Sequence, residues 1–152
     1  MHRFLLSIIC FYCFFAINNR VLGQNKTVFN HAAIFVTDLQ KSNHFYTKII
    51  GLDTLAEPFH DGKHAWLDMG NNIALHIIQG ATEQKNYYKN QHLCFSVHSV
   101  PNFTQKLKAE GIRFEDVLGL PNSMTTRIDG VHQIWFQDPD KYWIEVNDAK
   151  TP

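Results

Sequence analysis

Two stretches of the chain alternate between apolar and polar positions in the same way, and each opens on a histidine. In 31–36, Ala32, Ile34 and Val36 form one face and His31, Ala33 and Phe35 the other, because successive strand side chains point to opposite sides. In 92–97, Leu93, Phe95 and Val97 separate likewise from His92, Cys94 and Ser96. The period then lengthens. After Asp38, whose side chain suits a helix cap, Leu39, Ser42, Phe45, Tyr46 and Ile49 recur at helical spacing until Gly51 stops the run. After Ser99 and Pro101, Phe103 and Leu107 do the same until Gly111.

Short strand-like runs follow each helix: 52–57, 65–69 and 73–78, then 113–117, 125–128, 131–137 and 142–147. Asp61-Gly62, Gly70-Asn71-Asn72 and Asp129-Gly130 are residues that reverse a chain between antiparallel strands, and the looser loop 119–122 is placed to cover a ligand. The pattern predicts two copies of strand, helix and three strands, about residues 29–79 and 90–148, joined by a polar linker over 80–90. This is an α+β fold of two βαβββ modules, whose curved mixed sheets join edge to edge around a trough.

The same alternation sorts the candidate ligands. Ile73, Leu75 and Ile77 leave His76 on the face opposite the helix, and Tyr142, Ile144 and Val146 leave Glu145 there, with Trp143 and Asn147. His31 and His92 open the first strand of each module, while His76 and Glu145 lie in the last. Internal symmetry therefore predicts that the four meet in the trough. Three imidazoles and one carboxylate suit one divalent transition ion, Zn, Ni, Fe, Co or Mn, better than Ca or Mg, which prefer oxygen. His44, His60, His64, His98 and His132 read as structural or surface residues. Arg127, Trp66 and Trp135, with Trp143, are candidates to hold a small anionic or aromatic substrate.

Met1–Gly23 changes the picture of location. Arg3, the apolar stretch 4–17 and a polar exit with Val21 and Gly23 at the −3 and −1 positions read as a signal peptide, shorter than the roughly 20 residues of a membrane span. Cleavage before Gln24 would leave a single domain over 24–152, periplasmic or secreted, with no membrane partner. Cys10 and Cys13 leave with the leader, so Cys94 has no cysteine to pair with inside the chain. The 14 basic and 14 acidic side chains balance, and no Lys/Arg cluster exists to neutralise a phosphate backbone, which excludes nucleic acid as a partner.

The runs His31-x-x-Ile-x-Val-x-Asp-Leu-x-Lys-Ser-x-x-Phe-Tyr-x-x-Ile-x-Gly-Leu52 and Asp138-Pro-Asp-x-Tyr-Trp-Ile-Glu-Val146 resemble the vicinal oxygen chelate superfamily, in its glyoxalase I-like branch. The resemblance implies metal ligation by His31, His92 and Glu145, with His76 where glyoxalase I-like members carry Glu or Gln. It also implies Glu145 as the catalytic base of a metal-dependent lyase or isomerase that moves a proton on a small substrate with vicinal oxygens. Homodimers are implied too. Lys141 departs from the Gly usual after Asp-Pro-Asp, so a residue with a Cβ is expected at positive φ. Export speaks against glutathione conjugates as substrates. Two further readings are an Fe(II) extradiol-type dioxygenase, against which His76 stands as a fourth ligand, and a non-catalytic small-molecule binder of the resistance type.

Overall fold

The computed structural model describes residues 26–150; the expected leader and the cleavage point before Gln24 lie outside them. β1 (His31–Val36) leads to Asp38, which is extended and accepts a hydrogen bond from the Lys41 amide, capping α1 (Leu39–His44). The helix widens to π-type pitch over Phe45–Ile50 and ends at Gly51, whose φ of 97° is the left-handed stop that glycine tolerates. β2 (Asp53–Leu55), β3 (His64–Asp68) and β4 (Ala74–Gln79) complete the first module. The second repeats the plan: β5 (His92–Ser96), α2 (Val100–Ala109) capped by Ser99, β6 (Phe114–Glu115), β7 (Thr125–Thr126), β8 (His132–Gln137) and β9 (Trp143–Asn147).

The first sheet runs β1-β4-β3-β2, with β1 parallel to β4 and the rest antiparallel. The second runs β5-β9-β8-β6, and β7 pairs with the other end of β8, so β6 and β7 together occupy the place β2 holds in the first module. These outer strands are shorter than their apolar pattern predicts. An edge strand is paired on one side only, and its ends give way to the turns.

Both modules contribute to one core. Ile34, Val36, Leu67, Leu75 and Ile77 of the first sheet and Ile134, Phe136, Ile144 and Val146 of the second belong to a single buried cluster with Leu39, Phe45, Tyr46, Ile49, Val100 and Leu107 of the helical segments. Phe45 of the first module lies 6.2 Å from Phe136 of the second, and the Lys106 ammonium donates to the Ile49 carbonyl at 2.9 Å. The turn between β8 and β9 ties the modules further. Asp138 accepts from the Tyr46 hydroxyl at 2.9 Å, and Asp140 accepts from the Thr37 amide at 2.8 Å and the Ser42 hydroxyl at 3.1 Å. Burial pushes the Asp138 carboxyl up to about 6.

One expectation is revised. The sheets share no hydrogen-bonded strand pair, so a single chain does not join them edge to edge. Each sheet instead turns its apolar face and its helix into the shared core, leaving the histidine-bearing face on the far side. The polar linker over 80–90 is anchored at Tyr87, which stacks on Tyr142 at 4.3 Å and whose carbonyl accepts from the Trp143 indole at 3.0 Å.

Candidate functional site

Parallel pairing of β1 with β4 sets Ala33 opposite His76, so His31 lies one diagonal step away on the same face, with the two rings 5.9 Å apart. On the other side of β4, Trp66 stands in register with His76 and stacks on it at 3.9 Å, nearly parallel. The His31 Nδ1–H donates to Asn30 Oδ1 at 2.7 Å, which leaves Nε2 with a free lone pair. His76 is 8 % exposed, and its Nε2 is buried without a partner. Burial, then the nearby His64 and His31 rings, hold its pKa below the ordinary value, which favours the neutral imidazole.

The second module builds the same arrangement. β5 and β9 set Cys94 opposite Glu145, and His92 lies diagonally, its Nε2 3.4 Å from Glu145 Oε2. Trp135 stands in register with Glu145 and meets His92 edge-on at 4.4 Å. His92 Nδ1–H donates to the Lys89 carbonyl at 3.2 Å, again leaving Nε2 for a ligand role. The Asn147 amide donates to Glu145 Oε1 at 3.0 Å and orients the carboxylate. His31 corresponds to His92, His76 to Glu145, and Trp66 to Trp135.

The expected four ligands therefore stand as two pairs. Among the described residues, no group of three or more His, Cys, Asp or Glu side chains converges as metal coordination requires. Among the described residues the four candidates are not brought to one point, and each pair sits on its own sheet. Arg127 lies just past β7 rather than in a strand, and its guanidinium is paired with Asp129 at 2.7 Å. Trp66 and Trp135 lie beside the ligand pairs, and both indole nitrogens are buried without a partner.

His64, expected as a structural or surface residue, opens β3 on the same face as Trp66, 5.2 Å from His76, with Nδ1 held by Asp61 at 2.9 Å. Its neighbour Gly62 concealed it, since strand ends are the least legible part of a pattern. Asn147 was legible in principle, being two residues from Glu145 on one strand. Lys89 and Asn30 carried no local signal. His44, His60 and His98 are exposed and His132 pairs with Asp148 at 2.9 Å, in line with structural or surface roles.

Residues 28–146 match the family model of the Glyoxalase/Bleomycin resistance protein/Dioxygenase superfamily. The chain belongs to this superfamily. Among curated relatives of this superfamily chain, "Glyoxylase I 4" of Arabidopsis thaliana is 27% identical, covering 79% of this chain and 70% of that protein. Lactoylglutathione lyase of Pseudomonas putida is 26% identical over 78% of this chain and 83% of its own length. The solved structure of oxidase ChaP-H2 superposes with a TM-score of 0.67 at 19% identity, covering 82% of this chain and 94% of that one. That last likeness shows the fold.

Proposed function

We propose that this superfamily chain is a metal-dependent lyase or isomerase of the glyoxalase type, acting on a small substrate with adjacent oxygens. We further propose that it works as a homodimer, periplasmic or secreted, in which the His31 and His76 pair of one chain faces the His92 and Glu145 pair of another. The observation that carries this reading is the repeated half-site, two donors per sheet, with the His31 and His92 tautomers set to leave Nε2 free and His76 Nε2 buried without a partner. An orphaned buried imidazole nitrogen is costly unless something binds it. Two donors hold a transition ion weakly, whereas the two pairs together make a common four-ligand set. Phe35, half exposed on the His31 face, supports a covering partner there.

One ion of Zn, Ni, Fe, Co or Mn would be held by these four residues, and when bound it supplies Lewis-acid polarisation of a substrate carbonyl. Glu145 then takes a proton from the carbon beside that carbonyl and returns it to the adjacent carbon, a shift that leaves composition unchanged. The Asn147 amide holds Oε1 of this carboxylate, so Oε2, on the His92 side, is the oxygen free to carry the proton. Trp66 and Trp135 wall the substrate at either pair, and Arg127 is placed at the rim only if it leaves Asp129.

The experiment is complementation of metal binding. A His31→Ala/His76→Ala chain and a His92→Ala/Glu145→Ala chain are each expected to bind no ion, while their mixture, refolded together, regains about one ion per mixed dimer. Parent protein holding close to one ion per chain, with no recovery on mixing, would place the site within a chain. Parent protein that retains no ion, with the fold intact, would leave a small-molecule binder instead of an enzyme.

A further inference from the structure

Lys89 lies in the polar stretch between the modules, where a lysine normally extends into water. Here its ammonium is turned inward, and the side chain is 21% exposed. Its three donors are all used, on Glu115 Oε1 at 2.7 Å, the Asp116 carbonyl at 2.7 Å and the Val117 carbonyl at 3.2 Å. The charge also sits 5.5 Å from the Trp135 ring and 5.3 Å from the Trp143 ring. The same residue's carbonyl accepts the Nδ1 proton of His92.

We propose that Lys89 is a positioning residue for His92: its ammonium pins the main chain so that its carbonyl holds the imidazole in the Nδ1–H tautomer. The inference rests on His92 being a metal ligand. A neutral imidazole carries one N–H, and His92 has an acceptor at each end, the Lys89 carbonyl at Nδ1 and Glu145 Oε2 at 3.4 Å from Nε2. If the proton moved to Nε2 it would bond Glu145 and block the nitrogen needed for a metal, while the Nδ1 lone pair would face a carbonyl oxygen. A carbonyl fixed at hydrogen-bond distance decides the competition. Trp135, braced by the Lys89 charge and edge-on to His92, limits rotation of the ring. One side chain thereby ties the linker, the loop after β6 and the tautomer of a candidate ligand.

The test compares Lys89→Met, Lys89→Arg and Lys106→Met, the last removing another lysine-to-carbonyl clamp remote from His92. Ring nitrogen chemical shifts of His92 are read in 15N-labelled, metal-free protein at about pH 8.5. The expected result is Nδ1–H in the parent, Lys106→Met and Lys89→Arg, and a population shifted to Nε2–H in Lys89→Met. Zinc affinity, measured by chelator competition, is expected to fall 10- to 100-fold in Lys89→Met and to recover in Lys89→Arg. Glu115→Gln, which keeps the lysine but weakens its strongest partner, shifts the tautomer in the same direction and stands in if Lys89→Met does not fold. An unchanged tautomer in Lys89→Met, or in Glu115→Gln where that stands in, overturns the proposal, as does a zinc loss matched by Lys106→Met. A parent that binds none of Zn, Ni, Fe, Co or Mn overturns the functional reading instead, and the tautomer shift still judges Lys89 by itself.

Discussion

Lys141 sits at a φ of 69°, a left-handed conformation in which a Cβ crowds the neighbouring carbonyl. The turn enforces it: the Lys141 amide donates to the Asp138 carbonyl at 3.0 Å, and its own carbonyl accepts from Gln137 at 3.1 Å. Lys141→Gly removes the crowding and costs some unfolded-state entropy, so the expected net gain is roughly 0.5–1 kcal/mol, read from urea denaturation. A loss of stability would mean that the lysine stem packs usefully. Cys94 illustrates the opposite case, a residue whose neighbours mute its chemistry. The residue is exposed, yet desolvation of the thiol, then the adjacent Glu145 carboxylate, pushes it up to about 12, which favours the protonated form near neutral pH. Its place opposite Glu145 follows from strand register.

Between elements, the β8–β9 turn is the device that joins the modules, and it carries a pH signature. Asp138 has a pKa near 6 in the fold against an ordinary 3.8, so the folded state binds the proton more tightly than the unfolded chain. The stabilisation from this group is complete below about pH 4 and is lost as pH rises through about 6, by at most about 3 kcal/mol. Asp38, Asp61 and Asp148 are shifted downward and act in the opposite sense, so the total curve mixes both. Asp138→Asn isolates the effect. The parent-minus-variant difference in unfolding free energy is expected to fall between about pH 4 and pH 6 and to be flat above. A difference that rises with pH would mean that the hydrogen bonds from Tyr46, Asp140 and Tyr142 outweigh burial.

At the scale of the whole molecule, the decisive feature is that the two candidate pairs lie on separate sheets that share one core. If a second chain completes each site, metal affinity is linked to dimer formation and depends on protein concentration. Diluting the protein about 100-fold through its dimer dissociation range is expected to weaken the apparent zinc affinity in step with loss of dimer, followed by chelator competition and sedimentation. Constant affinity across that range would place all four ligands in one chain. The exposed Leu118 and Leu120, on the loop between β6 and β7, make that loop a segment to watch for protection on association.

Strand and helix periods, the Asp38 and Ser99 caps, the Gly51 stop and the division of β1, β4, β5 and β9 into two faces were legible in the amino-acid order, because each depends on neighbours within a few residues. The placement of His31 and His92 at the start of the first strand of each module, and of His76 and Glu145 in the last, was legible too, since the internal repeat fixes it. Lys89 under Trp135, His64 beside His76, the anchored linker and the separation of the two pairs were decided only in three dimensions. Each depends on how one module's apolar face finds the other's, a choice of partner that local periodicity leaves open because either face-to-face or edge-to-edge assembly buries the same apolar stripe.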